Sequence, residues 1–441
     1  MTFLSKLFLG FVLLLPLALR AADEPRKQLS DTVSTQLPTL RTLAESKKFP
    51  EALRLIDSLL PAVAEGSFDL TLLRQIKSQI LISQGNYLEA VTAIERLLAE
   101  GGPFLDAKAR LDQLYLLSQL YYQQAGAASD DTARAALLTR ASSTLEKWFA
   151  LAPATTAEAK LFSADLLYHA ATTGPLNREK LQLSLAEAQA SLRLQVRANL
   201  RACVLILAVY QQLGDRVASA ETLEFLVARQ TDNEAYWQQL AATYTALAAD
   251  TKDETAARAY TLRAALTVER AQAAGRLRSS KENLNLVALY FNLQEHARAT
   301  ALLSDGLRTG AIENTRRNWE LLASVNQQAR RIPEALAALE QAIAAFPREG
   351  QLEFALAQIL YTEGRPEDAL PRLENAVAKG NLDKPGQVRL FLGYVAYELK
   401  HYEAALRWST DATAFADVKK DDLAKLTLAA RAALGTPAAR L

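Results

Sequence analysis

The sequence is poor in cysteine, histidine and aromatic residues, and each scarcity argues against a class of protein. Cys203 is the only cysteine, so no disulfide can form within the chain. Its apolar neighbours Ala202 and Val204 indicate a buried, unreactive thiol. His169, His296 and His401 lie far apart without accompanying carboxylates, so no metal site is expected. Aromatic residues make up only 7% of the chain, which leaves few large groups for a thick globular core.

The sequence also has no large excess of either charge and contains few glycine and proline residues. The chain has 50 Lys plus Arg against 49 Asp plus Glu, so no strong field would attract nucleic acid, and no nucleic-acid partner is expected. The 17 Gly and 14 Pro stand mostly between apolar stretches that are rich in alanine and leucine, which are good helix formers. No segment indicates a strand, and an all-α fold is predicted.

The N-terminal segment has the layout of a secretory signal peptide. Lys6 is followed by an apolar run over residues 7–19, which is shorter than the roughly 20 residues of a membrane-spanning helix. We therefore expect residues 1–22 to be removed on export. The alternative is retention as an inner-membrane anchor, because neither Leu19 nor Arg20 suits the position three residues before cleavage.

An internal repeat organises the rest of the chain. Ala335, Ala369 and Ala405 are 34 and 36 residues apart, and each is followed seven residues later by another alanine, at Ala342, Ala376 and Ala412. Small residues at these places would let two antiparallel helices approach closely. Matching positions recur upstream at Trp237, Leu240, Ala241 and Tyr244, at Leu286, Tyr290 and Ala299, and at Gly85 and Ala90. The alternative is an alanine- and leucine-rich bundle with accidental periodicity.

This pattern resembles the tetratricopeptide repeat. The resemblance implies an all-α fold, a right-handed α-solenoid of about ten TPR-like helical hairpins over residues 23–441, and a binding role. The repeats are clearest over 232–416, a capping helix is expected over 419–434, and the boundaries are least defined over 105–200. Polar segments at 125–132, 174–177 and 250–254 are predicted to be loops that lengthen individual repeats.

The motifs that catalysis or a cofactor would need are not found. The sequence has no glycine-rich phosphate loop, no His-Glu-x-x-His, no Cys-x-x-Cys and no Gly-x-Ser-x-Gly. A non-catalytic protein without cofactor or metal is predicted. The acidic pairs at residues 130–131, 253–254 and 421–422 adjoin expected helix starts, and capping of the free amides explains them.

A partner-binding surface is predicted on the first helices of the last two repeats. The residues beside the packed leucine and small residue should face a groove, where aromatic and amide groups suit a bound peptide. They are Phe354, Gln358, Tyr361, Gln387, Tyr394 and Tyr397, with Gln351 and Glu398 beside them. The alternative is that Phe354, Tyr394 and Tyr397 complete the core beneath a neighbouring helix.

Three C-terminal segments carry a narrower likeness. Residues 302–307 (LLSDGL), 318–323 (NWELLA) and 378–387 (AKGNLDKPGQ) resemble periplasmic tetratricopeptide proteins that accompany TonB, ExbB and ExbD. The resemblance implies a periplasmic scaffold accessory to TonB-dependent energy transduction and uptake, with partner contact in residues 319–416. Membrane contact would then occur only through partners or through an uncleaved N-terminal segment. The alternative is a scaffold for envelope assembly or polysaccharide export, while an enzyme would need a domain-sized segment outside the repeats.

Overall fold

A computed structural model describes residues 27–435, and the predicted signal peptide lies outside this range. All regular elements of the described range are helical. The chain divides into two compact units, Met1–Leu213 and Gly214–Leu441. Between residues 27 and 435 no helix is both long and apolar enough to cross a membrane.

The described part of the first unit consists of four helical hairpins and a ninth helix. Short 3-10 turns, Leu60–Ala62 and Gly102–Phe104, follow the second and fourth helices. The α-helices are α1 (Asp31–Glu45), α2 (Phe49–Leu59), α3 (Phe68–Ser83), α4 (Tyr87–Glu100), α5 (Ala107–Ala127), α6 (Asp131–Leu151), α7 (Ala157–Thr172), α8 (Arg178–Arg193) and α9 (Leu200–Leu213).

The described part of the second unit begins with one helix, continues with five hairpins and ends with a single helix at the place expected for a cap. The helices are α10 (Arg216–Arg229), α11 (Glu234–Asp250), α12 (Glu254–Ala273), α13 (Ser280–Asn292), α14 (His296–Thr309), α15 (Arg316–Gln328), α16 (Ile332–Ala345), α17 (Gly350–Thr362), α18 (Pro366–Lys379), α19 (Pro385–Glu398), α20 (Tyr402–Ala412) and α21 (Lys420–Ala433). In chain order, α1–α20 are ten helix pairs, and the predicted all-α hairpin repeat is confirmed.

A tight turn joins the two helices of several hairpins. Between α17 and α18, the amide of Arg365 donates to the Leu360 carbonyl, and this closure needs Gly364 in the left-handed region at φ 72°. Glycine takes this conformation without steric cost. Between α19 and α20 the same turn has Lys400 at φ 63°, so the geometry is retained without glycine.

The repeated alanines lie where the helices of a hairpin meet. All six positions are fully buried and belong to the second helices of the last three hairpins: Ala335, Ala342, Ala369, Ala376, Ala405 and Ala412. Larger side chains such as Leu339 and Leu373 fill the space beside them. Cys203 is buried in α9, as its apolar neighbours predicted.

Each of the three predicted loop segments contains a connection between two helices. Residues 174–177 do connect α7 to α8. Residues 128–130 connect α5 to α6 and residues 251–253 connect α11 to α12, and the ends of both predicted segments belong to the flanking helices. These connections are short because α5, α6 and α12 extend to 21, 21 and 20 residues. The predicted caps explain where these helices begin: Asp130 accepts from the Ala133 amide at 2.8 Å, and Asp253 accepts from the Thr255 amide at 3.1 Å. The added length therefore lies in the helices themselves.

Candidate protein-interaction surface

The residues predicted to bind a partner lie on α17 and α19, the first helices of consecutive hairpins. Tyr394 is 38% exposed, and Gln358, Gln387 and Glu398 are also exposed. Phe354, Gln351, Tyr361 and Tyr397 are half-buried. The structure thus leaves aromatic and amide groups of both helices accessible to a second molecule.

Phe391 on α19 joins two of the predicted aromatic residues into one cluster. Its ring meets Phe354 edge-on at 6.1 Å and Tyr361 edge-on at 5.1 Å between centroids. The Tyr361 hydroxyl donates to the Glu398 carboxylate at 2.8 Å. Sequence reasoning missed Phe391, although an aromatic residue directly before the marker Leu392 was a visible signal. The cluster holds α17 and α19 together and keeps part of each ring accessible.

The other predicted residues are engaged with segments of the chain itself. The Gln387 side-chain amide donates to the Asp417 carbonyl at 3.1 Å, and the Tyr394 hydroxyl donates to the Asp422 carbonyl at 3.3 Å. Tyr397 packs against Tyr402, with centroids 5.4 Å apart. Of the two tyrosines, Tyr394 is the more exposed.

Ion pairs connect the N-terminal ends of the helices that form this surface to the hairpin before them. The Arg316 guanidinium, on the first turn of α15, contacts Asp383 at 3.0 Å, Glu320 at 3.8 Å and Glu349 at 4.0 Å. Desolvation opposes the charge, yet these carboxylates raise the pKa of Arg316 above its usual value. Glu320 is partly buried, and desolvation raises its pKa although Arg316 counteracts this. One arginine therefore links the starts of three successive hairpins.

The first unit has an aromatic cluster of its own, on α5 and α7. The Phe162 ring lies 5.7 Å from Tyr115 and 5.6 Å from Tyr122, and the Tyr122 ring lies 5.5 Å from His169. Burial is the main reason why the pKa of Tyr115 and of Tyr122 rises to about 12. The sequence did not point to this cluster, because the repeat register is weakest over residues 105–200.

An acidic group lies beside this cluster. Asp165 is 7% exposed and pairs with Arg201 of α9. Burial raises the pKa of Asp165, while Arg201 and His169 counteract the rise. Burial likewise lowers the pKa of His169.

The arrangement of both surfaces suits contact with protein chains. Aromatic rings and amides supply apolar area and hydrogen bonds of the kind found at protein interfaces. Within residues 27–435 no group of three or more His, Cys, Asp or Glu could hold a metal ion. His296 and His401 lie at hairpin turns, where α14 and α20 begin.

The solved structures that are similar to parts of this chain include the following three. A thermophilic TPR protein of Thermus thermophilus is 22% identical over 47% of this chain and 100% of its own, with a TM-score of 0.26. The Cut9 and Hcn1 complex of the APC/C is 15% identical over 90% of this chain and 85% of that chain, with a TM-score of 0.28. YrrB, a TPR protein with an unusual peptide-binding site, is 15% identical over 49% of this chain and 99% of its own, with a TM-score of 0.31.

The sequence family model gives a more local result. No curated protein sequence matches the chain significantly. The model for the tetratricopeptide repeat matches residues 321–378 and 354–417. These two stretches begin within α15 and continue through α20, and they include the aromatic cluster of α17 and α19. Residues 321–417 are therefore similar in sequence to tetratricopeptide repeats.

Proposed function

We propose that this protein is a non-catalytic, periplasmic scaffold that binds components of a TonB, ExbB and ExbD system. Tetratricopeptide repeats indicate a protein–protein interaction scaffold, and such repeats bind proteins or peptides. The observation that carries the proposal is the accessible first-helix surface of α17 and α19, with Tyr394 and Gln358 exposed beside the Phe391 cluster.

The choice of partner is supported by the likeness of residues 302–307, 318–323 and 378–387 to TonB-associated periplasmic proteins. Some of these residues also have structural roles. A side chain at Gly306 would come within 2.6 Å of Ile312, and one at Gly386 would meet Val418. These glycines account for part of the likeness through packing, so the partner needs a direct binding test.

The proposed location is supported by the signal-peptide layout of residues 1–22. It is checked by N-terminal sequencing of protein recovered from the periplasm of a Gram-negative host. A mature N-terminus near Ala22 or Asp23 is the expected result. Intact Met1 in the cytoplasmic fraction would contradict export, and intact Met1 in the inner membrane would indicate the anchor instead.

The binding test uses the mature full chain and the purified periplasm-exposed segments of TonB, ExbB and ExbD. Interface affinity depends on a few well-placed anchors, so we expect Tyr394→Ala combined with Gln358→Ala to weaken binding of at least one segment about tenfold or more. Leu88→Ala is the control, since Leu88 is 74% exposed on α4 and is not among the predicted binding residues. Because the chain is nearly neutral, the association rate should depend little on salt.

The two parts of the proposal fail separately. If the folded wild-type chain binds none of the three segments, the TonB assignment is wrong. If it binds one of them and the double variant binds equally well, the partner is right and the surface on α17 and α19 is wrong.

A further inference from the structure

A second accessible groove lies between α12 and α14, the second helices of two consecutive hairpins. It consists of two adjoining clefts of about 490 Å³ and 340 Å³. Both clefts are lined by Tyr290 and Arg298, so they form one trough. The predicted surface on α17 and α19 is made by first helices, so the trough is a different surface.

The walls of the trough are largely apolar. On α12 the lining residues Ala259 and Leu262 recur at helical spacing, and Leu262 is 42% exposed. Leu266, one turn further along α12, is 41% exposed. Ala301 and Leu302 line the opposite wall on α14. Two large leucine side chains thus remain open to solvent along one stripe of α12.

One positively charged residue of the trough has no ion-pair partner. The Arg298 guanidinium lies over the Tyr290 ring, 4.9 Å from its centroid, and forms no ion pair with any residue from 27 to 435. Two neighbouring acidic residues contact groups other than Arg298. Glu269 accepts the Tyr290 hydroxyl at 2.6 Å, and Asp305 pairs with Arg308 at 2.5 Å.

The other charged pair at the edge of the trough is separated by a long distance for an ion pair. Arg258 of α12 comes no closer than 3.9 Å to Glu295, which precedes α14. Three carboxylates and two guanidinium groups line the trough. A carboxylate from outside would therefore have to lie directly at Arg298, which has no ion pair of its own. Charge complementarity calls for an acidic group beside an apolar surface.

The walls also decide the conformation of the occupant. Both walls are helices, whose backbone groups bond within the helix and offer nothing to an extended peptide strand. An α-helix satisfies its own backbone and needs only side-chain contact. From Thr255 to Glu269 the trough follows α12 for about 21 Å, which matches about four turns of a docked helix.

We propose that this trough binds an amphipathic α-helix of a partner protein. The apolar stripe of the partner helix packs on Leu262 and Leu302. An acidic side chain beside that stripe pairs with Arg298. The repeat array then has two separate interaction surfaces, one on first helices and one between second helices.

The test uses fluorescence anisotropy with the mature full chain and two synthetic, lactam-stapled helices of about four turns. The peptides share one leucine stripe and differ only at the flanking position, which is Glu in one and Lys in the other. We expect the Glu peptide to bind about tenfold or more tightly than the Lys peptide. Arg298→Glu should reverse this preference, and Leu262→Ser should weaken both peptides. Leu428→Ser, at an exposed leucine of α21, should change neither.

Three results would overturn the proposal. The first is that neither peptide binds the folded chain. The second is that both bind equally and Arg298→Glu has no effect, which would mean non-specific apolar adsorption. The third is that a proline-containing, extended version of the Glu peptide binds as well as the stapled helix. Circular dichroism of each variant checks that the helices are intact, and Arg298→Gln gives a second, milder test of the charge.

Discussion

The Tyr290 hydroxyl donates a 2.6 Å hydrogen bond to the Glu269 carboxylate and thereby joins α13 to the second helix of the preceding hairpin. Arg298, from the second helix of its own hairpin, covers the ring. The same three-residue contact, which we call a tyrosine rung, occurs twice more between residues 27 and 435. Its other members are Tyr244 with Glu224 and Arg263, and Tyr121 with Glu95 and Arg140.

Removing one rung should destabilise the second unit. For Tyr290→Phe we expect a loss of about 1 kcal/mol, the net value of one hydrogen bond, since the buried ring is kept. Urea unfolding followed by tryptophan fluorescence measures it, because Trp237, Trp319 and Trp408 all lie in this unit. Tyr236→Phe is the matched control on α11, and an equal effect of both changes would show that the rung contributes nothing.

The rungs should also weaken at alkaline pH. Burial, aided by a hydrogen-bonded glutamate, raises the pKa of Tyr121 and of Tyr290 from 10.0 to about 12. A raised pKa means that the folded state favours the protonated phenol. The stabilisation is therefore complete below pH 10 and is lost as the pH rises towards 12.

The measurement compares the wild type with the double variant Tyr121→Phe and Tyr290→Phe. Their difference in unfolding free energy should be constant from pH 7 to about 9 and should shrink above pH 10. Lysine deprotonation affects both proteins alike and cancels in the difference. A difference in unfolding free energy that stays constant to pH 12 would mean that these phenols do not titrate as the structure indicates.

Two glycines in helices should respond oppositely to alanine. A side chain at Gly350 would meet the backbone carbonyl oxygens of Gly380 and Ala376, so Gly350→Ala should cost about 1–3 kcal/mol. Gly126, near the end of α5, has open space around it. Gly126→Ala should therefore stabilise by about 0.4–1 kcal/mol. Circular dichroism during urea unfolding distinguishes these outcomes, and destabilisation by both would refute the packing argument.

The repeated alanines make a further prediction. Ala342→Leu should overpack the contact between the helices of its hairpin and cost about 1–3 kcal/mol, because Ala342 is fully buried. Ala378→Leu on α18 is the control, since Ala378 is exposed and should tolerate the larger side chain. Similar midpoints for both variants would show that the position accepts a leucine.

The sequence predicted this fold through local signals and missed contacts made at a distance. Alanine spacing revealed the hairpins because close helix packing restricts residue size at each position. Tyr244 and Tyr290 were recognised as repeat markers, but their glutamate partners, 20 and 21 residues earlier, lie on the helix before each hairpin and are not part of the repeat pattern. The exposed state of Tyr394 depended on the position of α21, which the pattern around residue 394 does not encode.

At the positions equivalent to Tyr290, the last three hairpins have Asn326, Leu360 and Ala396, so the tyrosine rungs end with α13. In a repeat array, the contacts between successive hairpins couple the folding of one repeat to that of the next. The second unit should therefore open in segments, with amide hydrogen exchange that differs on the two sides of α14 and does not reflect a single global event. A partner that clamps α17 to α19 would then slow exchange mainly in the segment that follows α14, which has no tyrosine rung.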